Sequence, residues 1–149
     1  MRKNKKISYG DSNDLNLKFF ITMSRSTQAV HKRAANLFSK GGLTTAQFAV
    51  LETLYHKGDL TINELIKSIL TTSGNITVVI NNLEKEELIE RYPNPEDKRS
   101  FLISITEKGS KKVEEIFPEH LKDLEYCFED LSAEEKQLLI SVFKKIGTK

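Results

Sequence analysis

Three short segments constrain this chain more than any other feature. Thr44-Thr45-Ala46-Gln47, Thr61-Ile62-Asn63-Glu64 and Ser132-Ala133-Glu134-Glu135 each place a hydroxyl three residues before Gln or Glu. That is the capping-box pattern, in which two side chains satisfy the free amides of a helix start. A chain so punctuated is built mainly of helices. Apolar residues recurring at steps of three and four fill in the rest. A first helix is expected over 14–40, with Leu15, Phe19, Met23, Val30, Ala34, Leu37 and Phe38 in phase, and Gly41-Gly42 ends it. A second carries Phe48, Leu51 and Tyr55 on one face and stops at Gly58. A third, over 61–70, turns Leu65, Ile66 and Ile69 inward. A fourth, over 73–86, has Ile76, Val79, Ile80 and Leu83 as its apolar set.

The pattern then changes. Residues 88–92 and 101–105 read as short strands, and Pro93-Asn94-Pro95 places a loop between them. Thr106 caps a fifth helix with a stripe of Val113, Ile116, Phe117, Leu121, Leu124, Phe128 and Leu131, kinked at Pro118. A last helix turns Leu139, Val142, Phe143 and Ile146 inward. Helices, then a hairpin, then helices, give a mainly α fold with a small β-hairpin wing, the winged helix-turn-helix pattern. The expected division is 1–42 as an N-terminal helix, 43–106 as the winged domain, and 107–149 as the C-terminal helices.

Composition excludes several classes. The 149 residues include one cysteine, so an internal disulfide framework is ruled out and a reducing, cytoplasmic setting is expected. No apolar run reaches the roughly 18 residues of a membrane span, and no secretory signal follows the basic start. Charge is segregated: residues 1–60 carry ten basic against four acidic side chains, and residues 113–149 five against nine. The overall charge of +2 does not by itself mark a nucleic-acid binder.

The fourth helix is the most informative element. From Thr71 through Leu83 no residue is charged, although a solvated helix face normally carries Lys and Glu. Gly74, Thr77, Val78 and Asn81 lie opposite the apolar set, with Asn75 and Asn82 beside them. Either the helix is buried on both sides or this face reads base edges. Asn matches the donor–acceptor pair of adenine, and Thr77 and Val78 suit thymine methyl groups. Thr72 and Ser73 at the helix start suit a phosphate. At the hairpin tip, Pro95-Glu96-Asp97-Lys98-Arg99 offers an arginine for the minor groove, held by Asp97. An ordinary charged turn has the same composition.

The stretch 43–109 resembles the MarR family of bacterial transcriptional regulators. The matching pieces are LTTAQFAVLETLYHKG, SGNITVVINNLEKEELIER and PEDKRSFLISITEKG. FAVLETLYHKG, the Thr-Ser-Gly-Asn-Ile-Thr run and IFPEH are most similar to the MhqR-like branch, which responds to quinone-like compounds. The resemblance implies that 1–42 and 107–149 form a helical dimerisation domain, and that the protein is a homodimeric repressor that binds a pseudo-palindromic double-stranded operator and is released by a small ligand or oxidant. It implies Arg99 in the minor groove with Asp97 as its partner, and Thr77 and Val78 in the major groove. Two positions depart from the pattern. Glu87 stands where many members have Gly, and Val78 where many have Arg.

For a sensor, redox-active relatives place a cysteine near the first helix, whereas Cys127 lies in the fifth among Asp123, Glu125, Glu129 and Asp130. Negative neighbours disfavour a reactive thiolate, so a structural role is expected. A small aromatic ligand is the alternative sensor input. Phe19, Phe20, Met23, His31, Phe48, Tyr55 and Phe117 suit an apolar cleft where the terminal helices meet the winged domain, although each alone suits a core equally well. No metal-ligand spacing links His31, His56 and His120, so no metal and no cofactor is expected. No catalytic motif is present, and Cys127 with His120 lacks an orienting third group. The competing reading is a winged-helix module that binds protein rather than specific DNA.

Overall fold

The computed structural model describes residues 5–69 and 76–149. Within them the order is α1 (Asp11–Lys40), α2 (Thr45–Lys57), β1 (Leu60–Thr61), α3 (Ile62–Ser68), α4 (Ile76–Lys85), β2 (Ile89–Pro93), β3 (Phe101–Ile105), α5 (Glu107–Phe128) and α6 (Ala133–Gly147). This is the mainly helical, winged arrangement expected from the sequence. The beginning of the fourth helix at 73–75 lies outside the described residues.

All three capping boxes close as written. Thr44 Oγ1 accepts from the Gln47 amide at 3.1 Å while Gln47 Oε1 accepts from the Thr44 amide at 3.0 Å. Thr61 and Glu64 do the same at 3.2 and 2.9 Å, and Ser132 and Glu135 at 3.1 Å each way. At the end of α1, Gly42 takes φ 83°, and the Leu43 amide reaches back to the Phe38 carbonyl at 3.0 Å. A left-handed residue there lets the chain turn while satisfying the last carbonyls.

The chain divides into two units, one up to residue 33 and one over 34–149. In the first, the Tyr9 amide donates to Asp14 Oδ1 at 2.9 Å and ties the entry to α1. Leu15, Leu17, Phe19, Phe20 and Ile21 are exposed along it. In the second unit, Phe38, Leu51, Leu54, Leu65, Ile80, Leu83, Ile103 and Val113 belong to one hydrophobic core. The sheet has the order β1-β3-β2, antiparallel throughout. β1 was not legible from the sequence, because two residues carry no periodicity. Pro93 closes β2 rather than lying in the loop. As the outer strand, β2 tolerates a residue without an amide donor.

Three expectations about inward faces are corrected. Leu139, Phe143 and Ile146 are exposed, Val142 is only half-buried, and α6 has no buried residue at all. Its apolar row is amphipathic in sequence, but one chain does not supply the surface that covers it. Ile66 is exposed, because α3 turns Leu65 and Ile62 to the core instead. Tyr55 is 40% exposed, its ring lying at the edge of α2 with its hydroxyl donating to Glu114 Oε1 at 3.3 Å. Pro118 lies inside α5, which continues through it.

The turn after α4 answers the missing glycine. Glu87 adopts φ 64° and is the only non-glycine described with positive φ. The Glu87 amide donates to the Glu84 carbonyl at 3.0 Å and the Leu88 amide to the Leu83 carbonyl at 2.9 Å. This is the paired bonding of a left-handed helix cap, with Leu83 and Leu88 both buried. A side chain in that conformation carries strain. Glu87→Gly is therefore expected to stabilise the fold by about 0.5–1 kcal/mol, net of the entropy glycine adds to the unfolded chain. Thermal melting checks this, and a rise of about 2–4 °C is expected.

Candidate nucleic-acid interface

α4 is a helix with two distinct faces. Ile80 and Leu83 are fully buried, and Ile76 and Val79 are half-buried against the core. Thr77, Val78, Asn81 and Asn82 are exposed, with Val78 at 51%. The helix is thus not buried on both sides, and its uncharged polar face stands open. Thr72, Ser73, Gly74 and Asn75 lie outside the described residues.

The wing is a tied hairpin. Asn94 and Ser100 bond through backbone and side chain, at 3.0 and 3.2 Å, and the Ser100 amide donates to the Asp97 carbonyl at 3.0 Å. Asp97 Oδ1 accepts from both the Arg99 amide at 3.1 Å and Arg99 Nε at 3.2 Å. Asp97 therefore orients an arginine side chain that is 92% exposed. The side-chain contact is made through Nε, so it uses neither terminal nitrogen of Arg99. Lys98 is exposed beside it.

One contributor was not singled out from the sequence. Arg91, on β2, donates from Nε to Glu84 Oε2 and from Nη2 to Asn81 Oδ1, both at 2.8 Å. No local signal points to it, since nothing in the sequence joins a strand residue to a helix residue ten positions earlier. The end of α4 is also fastened to the start of α5. Thr106 Oγ1 donates to the Glu87 carbonyl at 2.8 Å, and Lys108 Nζ to the Glu86 carbonyl at 2.9 Å.

Of the residues expected around an aromatic ligand, Phe48, Tyr55 and Phe117 fall in one aromatic series between α2 and α5. Phe38 stacks on Phe48 with ring centroids 4.0 Å apart. His120 lies 5.2 Å from Phe38 and 6.2 Å from Phe117, and His56 lies 4.9 Å from Phe117. Phe38, His56 and His120 join the group only in three dimensions. Phe48 is buried, so it supplies packing as well as a ring face. Phe19, Phe20, Met23 and His31 belong to the other unit, where Met23 is half-buried and the other three are exposed.

His120 Nδ1 is buried without a hydrogen-bond partner among the described residues. Burial depresses the pKa of this imidazole below its ordinary value, opposed in part by Asp123 and Glu52. The unfolded chain then takes up the proton first as pH falls. The resulting stability is intact above about pH 6.5 and is lost as pH drops toward the depressed folded value. His120→Gln should shrink the fall in Tm between pH 7.5 and 5.5, and an unchanged slope would show that His120 does not contribute. Cys127 is half-buried, with Sγ 4.0 Å from Asp123 Oδ2.

An exposed helix face of Thr77, Val78 and Asn81, bordered by the Arg91–Glu84 pair, stands with an arginine-tipped wing and defines a winged-helix DNA-binding module. The family model described as MarR family matches residues 43–101. The regulator MhqR of Bacillus subtilis (strain 168) is 38% identical over 131 residues, covering 88% of this chain and 90% of MhqR. The chain belongs to the MarR family and is a DNA-binding transcriptional regulator. A mutant MarR from E. coli complexed with operator DNA matches with TM-score 0.70 and 27% identity, over 85% of this chain and 94% of that one. BpsR of Bordetella bronchiseptica, whose DNA binding is regulated by 6-hydroxynicotinic acid, shares the fold with TM-score 0.67 and 23% identity, over 85% and 98%. These relatives are transcriptional regulators, not enzymes. Among the described residues no helix is long and apolar enough to cross a membrane, and no cluster suited to a metal ion occurs.

Proposed function

We propose that this protein is a cytoplasmic, homodimeric repressor without enzymatic activity, released from a pseudo-palindromic operator by a small phenolic or quinone-like ligand. The observation that carries the reading is the exposed face of α4, where Thr77, Val78 and Asn81 present methyl groups and an amide without any charge. That face enters the major groove, Thr72, Ser73, Gly74 and Asn75, which precede it in sequence, also contact the DNA, and Asp97, Lys98 and Arg99 follow the neighbouring minor groove. Dimerisation is supported by Leu138, Leu139, Ile140, Phe143 and Ile146, an apolar row left exposed on α6. The aromatic series with Phe48, Tyr55 and Phe117 supports an aromatic ligand, since stacked rings and an unpaired imidazole nitrogen suit a hydroxylated ring.

Selection of binding sites from random DNA tests the reading. An inverted repeat with half-sites about one helical turn apart is expected. Repeating the selected binding with a panel of phenols and quinones should yield compounds that release the DNA. Recovery of no enriched sequence would overturn the operator reading, and release by none of the panel would overturn the ligand class.

A further inference from the structure

We infer that Arg91 is a positioning residue that decides which base Asn81 reads. The inference rests on the proposal that α4 presents Asn81 to the major groove. An asparagine amide carries an acceptor on one branch and two donors on the other, and both orientations occupy nearly the same space. An arginine has five donors and no acceptor. With Arg91 Nη2 at 2.8 Å, the branch that meets it must be the carbonyl oxygen, as observed. Glu84 holds Arg91 in turn, through Nε at 2.8 Å, so one guanidinium is pinned to two α4 residues a turn apart. The guanidinium is largely sheltered, with 29% of its side chain exposed, whereas Asn81 itself is exposed.

This arrangement changes what Asn81 recognises. A free asparagine amide pairs with adenine by donating to N7 and accepting from N6. In this site one lone pair of Oδ1 is taken by a charged donor and the oxygen is held on the Arg91 side, so the branch left wholly unengaged is the amino group. Asn81 therefore reads acceptors in the major groove, namely N7 and O6 of guanine, N7 of adenine or O4 of thymine. It discriminates against the amino group of cytosine, where donor would face donor.

The test compares the full-length protein with Asn81→Ala, Arg91→Gln and Arg91→Lys by site selection and by titration of operators varied at each position. The base pair read by Asn81 is the one whose preference Asn81→Ala erases. There the unaltered protein should disfavour cytosine by about tenfold. Arg91→Gln, which can donate or accept, frees the amide to turn and should reduce that discrimination to about threefold or less. Arg91→Lys, still only a donor, should keep it. Adding Arg91→Gln to Asn81→Ala should change the preference no further. Should Arg91→Gln fail to fold by thermal melting, Glu84→Gln loosens the same guanidinium and should relax the same position.

Three results overturn the inference. One is a preference for cytosine at the Asn81 position. Another is equal weakening of all sequences by Arg91→Gln, which marks a phosphate contact. The third is loss of discrimination in Arg91→Lys as complete as in Arg91→Gln. If Asn81→Ala alters no preference at all, the base-reading face of α4 fails together with the inference. Failure of the Arg91 variants alone leaves that face standing.

Discussion

Gly109→Ala is expected to destabilise the protein by about 2–3 kcal/mol, the range of overpacking in a core without room to yield. The sign is the informative part, because replacing glycine by alanine within a helix ordinarily gains about 1 kcal/mol. Gly109 is buried in the first turn of α5, where its amide donates to Thr106 Oγ1 at 3.1 Å. A β-carbon there would stand 2.2 Å from the Leu88 carbonyl oxygen and 2.8 Å from Ile105 Cγ1. The Leu88 oxygen cannot easily retreat, since it accepts from the Thr106 amide at 3.1 Å. Displacing it strains the turn that joins α4 to the wing. Urea denaturation should show the midpoint falling, and operator affinity should fall with it as the base-reading helix shifts. A midpoint unchanged or raised would refute the close approach of α5 to that turn.

Arg99→Ala is expected to weaken operator binding by about ten- to hundredfold, the range of a charged hydrogen bond lost at an interface. Its folding stability should not change, because the side chain is 92% exposed and its ion pair among the described residues is the local one with Asp97. A gel-shift titration measures the first quantity and thermal melting the second. The dependence of affinity on salt should also become shallower by about one unit of slope per arginine removed. Asp97→Ala should weaken binding less, since it frees the rotamer without removing the charge. Unaltered affinity in Arg99→Ala would remove the wing from the interface.

Much of the fold was legible because its signals are short-range. A capping box spans three residues, and Thr44, Thr61 and Ser132 cap as their neighbours require. The opposed faces of α4 follow from helical geometry alone, which is why Ile80 and Leu83 are buried and Val78 and Asn81 are not. Asp97 reaches Arg99 within a single turn, so that pairing too lay within reach of the sequence. The errors have a common origin. Leu139 and Phe143 were expected inward because an apolar stripe signals burial, but periodicity does not say which molecule provides the cover. Nothing local in the sequence marks His120, because the three phenylalanine rings around it come from separate elements.

From the residues alone came the order of the helices, the place of the hairpin, and the uncharged side chains Thr77, Val78 and Asn81 on the exposed face of α4, since each depends on neighbours a few positions apart. Only the folded chain joined Arg91 to Asn81 and Glu84, fastened Gly109 beneath the Leu88 carbonyl, and set a left-handed Glu87 where a glycine fits best. Those contacts link separate elements whose approach is settled by the shared core, and side-chain spacing along a sequence carries no record of it.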